Sequence, residues 1–328
     1  MEHLLTDESG YQPDRILRFG SRFSLSSMVL RRASPSVSAV NVPLAYPPQL
    51  RLYYGFQTEL MYVFKQFSLS LAAAGVLLSA SAQAHFQMVY TPDLLLDRGG
   101  KITLKTPFTH PAASGHVMSA DQPEQFFQIR KGKKTDLLPI LKPIRWTSAA
   151  NTGPAYEADV RLRGLGDNLF VYKTAPYLEE AEDIYIQQIT KTIVNVGSLP
   201  TGWNDDLGLE AEIVPLTKPY AIYAGGSFTG VVKSEGQPVP FAEIEVEYVN
   251  YQPDMKTNAF SQTSTITPPA DAFITMTIYA DANGTFTFAM PKAGQWGFCA
   301  LGVGPKKEHN GKALSQDAVI WVQAHPIK

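Results

Sequence analysis

From residue 85 onward, apolar and polar positions alternate in short runs. "KITLKTPF", "QFFQIRKG", "YEADVRLRG", "NLFVYKTA" and "IYIQQITKTIVNV" are rich in β-branched and aromatic residues, and Gly, Pro, Asn and Asp punctuate them every 8 to 15 residues. That spacing predicts stacked antiparallel strands rather than βαβ units. Only "YLEEAEDIY" and "SADQPEQFF" have a helix-like composition, and neither pattern persists for three turns. Pro215 and Pro219 interrupt the series, and a second set of strands follows in "GSFTGVVKSEGQPVPFAEIEVEYV", "FITMTIYADANGTFTFAMPKAGQWGFCALGV" and "AVIWVQAH". Asn283-Gly284 between alternating runs predicts a hairpin, because both residues tolerate the positive φ of a type I′ turn. The expectation is an all-β protein of two β-sandwich domains, 85–218 and 219–328.

The chain before residue 85 has a different character. Lys65, the apolar run "FSLSLAAAGVLLSASA" and Ala82-Gln83-Ala84 form the three parts of a secretory signal over 61–84. The apolar part is shorter than the roughly 20 residues of a permanent membrane span. Cleavage is predicted between Ala84 and His85, giving an exported, periplasmic protein that is not integral to the membrane. Residues 1–60 show no sustained periodicity. We expect them to be a disordered leader or an upstream extension of a chain initiated at Met61.

Charge adds little. Removing the first 84 residues leaves 21 basic and 25 acidic side chains (28 − 7 and 30 − 5), a formal net charge of −4 with no nucleic-acid footprint. The single cysteine, Cys299, cannot form an internal disulfide and is expected to pack as a small apolar residue. Asp281-x-Asn283-Gly284 resembles part of a calcium loop, but Lys292 stands where a bidentate Glu is needed. No G-x-S-x-G, H-E-x-x-H, Walker or C-x-x-C motif occurs, and no enzymatic activity is expected.

The candidate chemistry is metal binding. Cleavage before His85 would free an α-amino group beside its imidazole, and the amine and Nδ1 can close a chelate ring on one ion. The next histidines lie in "TPFTHPAASGHVMSA": His110 and His116, with Met118 two residues on. In one extended strand His110 and His116 would stand roughly 20 Å apart. Pro111 and Gly115 between them permit a fold-back that aims both at His85. An amine and neutral imidazoles suit Ni, Co, Cu or Zn, and a Met118 thioether would tilt the set toward copper. His309 and His325 read as turn and tail residues, and "EEAED" at 179–183 as a solvated charged turn.

Two resemblances add to this reading. The stretches Gly230 to Val246 and Asp281 to Trp296 resemble transthyretin-like or carboxypeptidase-regulatory-like modules, so the two sandwiches are expected to be immunoglobulin/transthyretin-like. The stretches "AHFQMVYTPD", "TPFTHP…GHVM", "APYLEEAEDIYIQQITKTIVNVG", "IVPLTKPYA" and "ALSQDAVIWVQA" resemble a bacterial family of periplasmic components of cobalt and nickel transport systems, also known as a domain of unknown function. The resemblance covers most of 84–324 and does not reach 1–60. It implies a periplasmic Ni(II) or Co(II) binder that delivers its cargo to an energy-coupling type importer in the inner membrane, with His85, His110 and His116 as ligands and Met118 adjacent. The alternatives are a periplasmic copper carrier and a histidine-brace oxidative copper enzyme.

Overall fold

The computed structural model describes residues 85–327; the leader and the signal segment expected over 1–84 lie outside the described residues. Two long strands, Ile184–Val196 and Lys312–His325, form the spine. They pair in parallel from Tyr185↔Leu314 to Thr192↔Trp321. A parallel pair cannot close through a tight turn, and here 115 residues separate the two strands (312 − 196 − 1).

This pair sits in the middle of a 12-stranded sheet. On one side the order runs through Gly166–Lys173, Gln125–Arg130 and Lys133–Asp136; on the other through Gly294–Ala300, Glu243–Tyr248 and Thr275–Tyr279. Successive residues alternate between its two faces, as strand geometry dictates. Ala318, Ile320, Val322 and Phe298 enter the main core, whereas Val319, Trp321 and Cys299 enter a second core on the opposite face. Covered on both faces, the spine strands are buried almost throughout. Burial also pushes the Cys299 thiol well above its usual range, in keeping with the apolar role expected of it.

Two smaller sheets complete the layers. One of five strands contains Gly100–Lys105, Thr152–Leu162, Lys142–Thr147, Ala259–Ser264 and Tyr251–Asp254; one of four contains Glu212–Pro215, Ser227–Ser234, Gln237–Pro238 and Thr285–Ala289. Leu104, Ala158 and Val160 of the first, and Ile213, Phe228 and Phe286 of the second, pack with Phe170, Ile193 and Phe298 of the large sheet. The molecule is therefore an all-β sandwich fold, as its alternating runs predict. The boundary expected at 218/219 is crossed twice. The spine joins strands from either side of it, and the 251–264 segment adds to a sheet made otherwise of residues 100–162, through Ala259↔Thr147.

The Asn283-Gly284 turn departs from expectation. Strand 275–279 pairs with 243–248 in the large sheet, while 285–289 pairs with 227–234 in the four-stranded one. The turn is a corner between two sheets rather than a hairpin. Only Gly284 has positive φ (74°), so a type I′ turn is not formed. Asp281 organises the corner instead: its Oδ1 accepts from the backbone N–H of Asn283 (2.8 Å) and Thr285 (2.9 Å). A Cβ on Gly284 would lie 2.8 Å from the Val232 carbonyl oxygen. Gly284→Ala should cost about 2 kcal/mol of stability through strain and clash, read from urea unfolding; a loss within error would show that the corner relaxes freely.

Candidate functional site

His85 opens the N-terminal segment, which lies on the face of the large sheet that carries Trp321. Polar side chains from the spine hold it there. Gln188 Nε2 donates to the His85 carbonyl (2.5 Å), and Gln188 Oε1 accepts from the Gln87 N–H (2.7 Å). Trp321 Nε1 (3.0 Å) and Thr190 Oγ1 (3.2 Å) donate to the Gln87 carbonyl. Buried polar groups require such partners, which explains why a strand as deeply buried as 184–196 carries Gln188 and Thr190.

Phe86–Gln87 pairs antiparallel with Phe108–Thr109 in the register Phe86↔Thr109. Continuing that register sets His85 opposite His110, as directly facing cross-strand neighbours. The ring centroids are 4.5 Å apart at 46°. The chain then turns back on itself. The His110 carbonyl accepts from the N–H groups of Ala113 (3.3 Å) and Gly115 (3.0 Å), and the Met118 N–H reaches the Phe108 carbonyl (2.8 Å). Gly115 is required here, because a Cβ would stand 2.9 Å from the His110 Cβ. The chain folds back at Pro111 and Gly115 as expected, but it turns only His110, and not His116, onto His85.

Of the four candidate residues, the structure brings His85 and His110 into contact. Their side chains retain only 14 % and 12 % exposure. His116 stands exposed on the returning arm, its Nε2 within 3.1 Å of Asn151 Nδ2. Met118 is buried in a small apolar cluster with Phe108 and Ile186, packed by Tyr177 and Ile184. His309 sits edge-on to the Tyr185 ring and His325 Nε2 hydrogen-bonds the Tyr220 carbonyl, both apart from this group.

Two carboxylates join the histidines: Glu247, which the sequence does not single out, and Glu179, expected to lie in a solvated charged turn. Glu247, wholly buried, accepts from His110 Nδ1 (2.7 Å) and Thr275 Oγ1 (2.7 Å) at Oε1 and from the Ala112 N–H (3.3 Å) at Oε2. With the Nδ1 proton on this bond, a neutral His110 presents Nε2 as a lone pair. A carboxylate behind an imidazole is the arrangement that orients metal-binding histidines. Burial opposes charge on His110, but the Glu247 hydrogen bond and the charges of Glu247, Glu245 and Glu179 outweigh it and raise its pKa. Glu179 belongs to the "EEAED" turn, yet its side chain is mostly buried, with Oε2 3.7 Å from His85 Nδ1. Neither of those two atoms has a hydrogen-bond partner. For His85, burial first and then the charges of His110 and His116 push the pKa down to about 3, so its imidazole is the free base near neutral pH.

Two facing buried polar atoms without partners cost about 1–3 kcal/mol each, and a cation between them would satisfy both. The side chains alone are too few for a complete site: among the described residues no group of three or more His, Cys, Asp or Glu is gathered to hold a metal ion.

Fold and site together define an all-β sandwich protein with a pair of contacting, mostly buried histidines, one of them the first of the described residues. The chain belongs to the family described as domain of unknown function DUF4198, whose model matches residues 82–304. No curated protein matches the sequence. Among solved structures, the chain is similar to the D0-D1 domain of Intimin (13 % identity, 71 % of this chain and 95 % of that one, TM-score 0.18). It is also similar to trypsin-activated alpha-2-macroglobulin from Escherichia coli (10 %, 74 % and 16 %, 0.20) and dimeric latent PorU from Porphyromonas gingivalis (9 %, 72 % and 20 %, 0.18). The chain spans about a fifth or less of the last two. At these scores none of the three bears on the arrangement of the site. Among the described residues, no helix is long and apolar enough to cross a membrane.

Proposed function

We propose that this protein binds Ni(II) or Co(II) as cargo in the periplasm and delivers it to an energy-coupling type importer in the inner membrane. The α-amine and Nδ1 of His85 and Nε2 of His110 are the central donors, Glu179 is the carboxylate beside them, and His116 serves from the rim. The observation that carries the reading is the pair of buried atoms without partners, His85 Nδ1 and Glu179 Oε2, beside a His110 already oriented by Glu247. A deprotonated His85 ring suits a metal ligand, since only the lone pair binds. Borderline nitrogen donors with one carboxylate fit Ni(II) and Co(II). Resemblance to the cobalt and nickel transport components points the same way.

A copper carrier or histidine-brace enzyme is the second reading, favoured by the contact between just two imidazoles. Burial of Met118 among Phe108 and Ile186 weighs against it, because the soft donor is engaged in packing.

The test is a calorimetric titration with Ni(II), Co(II) and Cu(II) of two proteins, one starting at His85 and one carrying a single Ala before it. Tight nickel or cobalt binding by the first, weakened about tenfold or more by the added residue through loss of a chelating donor, is the expected result. Equal binding by both, or none, would remove the amine from the site and the proposal with it. A clear preference for copper would move the second reading ahead.

A further inference from the structure

Among the described residues, the end of the large sheet away from His85 gathers a strongly basic set of turns. Strand 184–196 begins beside the Glu179 turn and ends 12 residues later, a run of roughly 40 Å at about 3.3 Å per residue. Three turns gather at that far end. Strand pairing places Gly100 opposite Leu162, Arg130 opposite Lys133 and Val196 opposite Gly166. Their sequences are "DRGGK" (97–101), "RKGKK" (130–134) and "RLRGL" (161–165), eight basic residues against one acidic. The whole region from 85 to 328 has 21 basic and 25 acidic (28 − 7 and 30 − 5), so over a third of its positive charge lies in 15 residues at one end.

That charge is free to act outward. Lys101 pairs with Asp159, and Lys134 lies over the Phe127 ring at 3.6 Å. Arg98, Lys131, Lys133, Arg161 and Arg163 are exposed, with no carboxylate partner among the described residues. Arg130 donates to the Leu165 carbonyl (3.2 Å), tying two of the turns together. Between the first and third turns runs an open groove of ≈ 510 Å³, lined by Gly99, Gly100, Arg161, Leu162, Arg163 and Gly164.

Apolar side chains share the same end. Leu165 is 50 % exposed and Leu199 44 %. Leu165 lies over Gly197, where a Cβ would come within 2.5 Å of its Cδ2. The loop bearing Leu199 is rigidly placed. The buried carboxylate of Asp167 accepts from the N–H groups of Thr201 (2.5 Å), Gly202 (2.9 Å) and Trp203 (3.1 Å), while Asn195 Nδ2 donates to the Leu199 carbonyl (2.8 Å).

We infer that this pole is a docking surface for an anionic phospholipid bilayer. Basic side chains lie against the phosphate headgroups, Arg161 and Arg163 edge a groove open to one of them, and Leu165 and Leu199 enter the acyl boundary. Unpaired basic groups supply attraction to anionic lipid, on the order of 1 kcal/mol per residue at a membrane surface. Exposed leucines distinguish a bilayer from a nucleic acid or another acidic polymer, which offers nothing apolar for them to enter. Docked this way, the end of the large sheet that carries His85 lies away from the bilayer. The inference makes no use of metal binding and stands independently of it.

The experiment is co-sedimentation of the protein, purified after expression of the full chain, with vesicles of phosphatidylethanolamine and phosphatidylglycerol or of phosphatidylcholine alone. Two variants are compared with it: Lys131→Glu/Lys133→Glu/Arg161→Glu/Arg163→Glu, and Leu165→Ser/Leu199→Ser. All six positions are solvent-exposed, and matching thermal unfolding confirms that both variants fold. The unaltered protein should bind the anionic vesicles, bind phosphatidylcholine weakly, and lose binding as salt rises. The charge reversal should reduce anionic binding by about tenfold or more, and the leucine variant should lose the fraction that persists in high salt. Equal binding to both vesicle types, or an unchanged charge-reversal variant, would overturn the proposal. Binding to heparin without binding to vesicles would assign the pole to an acidic polymer and overturn it equally.

Discussion

Lys191→Met should lower the unfolding free energy by about 3–5 kcal/mol, the loss typical of a buried ion pair deprived of one partner. Lys191 lies in the middle of the spine strand, on the face that carries Ile189 and Ile193 into the main core. Its Nζ is 2.6 Å from Glu212 Oε1, and both side chains are almost completely buried. Burial lowers the Lys191 pKa, against the pull of Glu212, Asp206 and Asp205. Glu212 is also fixed by the backbone: Leu207 and Leu209 donate their N–H groups to its carboxylate (3.1 and 3.4 Å at Oε2). Without the ammonium, that buried carboxylate would be left with only amide donors around it. The pair joins the large sheet to strand 212–215 of the four-stranded sheet, so the loss should appear as a lower midpoint in urea. The double variant Lys191→Met/Glu212→Gln removes both charges and should recover a good part of the loss. A single variant costing under about 1 kcal/mol, against the 3–5 expected for a buried pair, would mean that water reaches the site.

The same strand shows how far the sequence can be read. "IYIQQITKTIVNV" predicts a strand, and its bounds are those observed, Ile184–Val196. Its two-sided burial is less visible. Its polar positions fall on both faces, Gln188 on one and Lys191 and Asn195 on the other, and each meets a buried partner elsewhere in the chain. Parallel pairing with 312–325 leaves no local mark, because no turn connects the two strands. The expectation of two sandwich domains therefore carries no sign of the sheet that joins strands from both. The Asn283-Gly284 hairpin failed for a related reason. Turn chemistry constrains the backbone at the turn itself, and which sheet each flanking strand then joins depends on distant partners.

The candidate site divides along the same line. His85 and His110 were accessible from residue type, spacing and the breaker residues between His110 and His116. Glu247 was not: "EIEVEY" reads as an alternating strand with its glutamates in water. Nothing near it in sequence signals His110, which is 137 positions away. Glu179 was hidden by its neighbours. In "EEAED" it is the residue turned inward toward His85, while Asp183 pairs with Lys312 at the surface.

Glu247 accordingly carries the sharpest functional test. Glu247→Ala should weaken Ni(II) or Co(II) binding by roughly 10- to 100-fold, the usual penalty for losing the group that orients a ligating histidine. It should also cost about 1–3 kcal/mol of stability, since His110 Nδ1, Thr275 Oγ1 and the Ala112 N–H lose a buried acceptor together. Glu247→Gln separates the two effects. Its amide oxygen can still accept from His110 Nδ1 and keep Nε2 available, so binding should lie between the other two proteins. A Glu247 that only holds the loop would behave differently. Both variants would then unfold more easily while calorimetry, run well below their midpoints, returned an unchanged metal affinity, and His110 could no longer be regarded as a ligand positioned from behind.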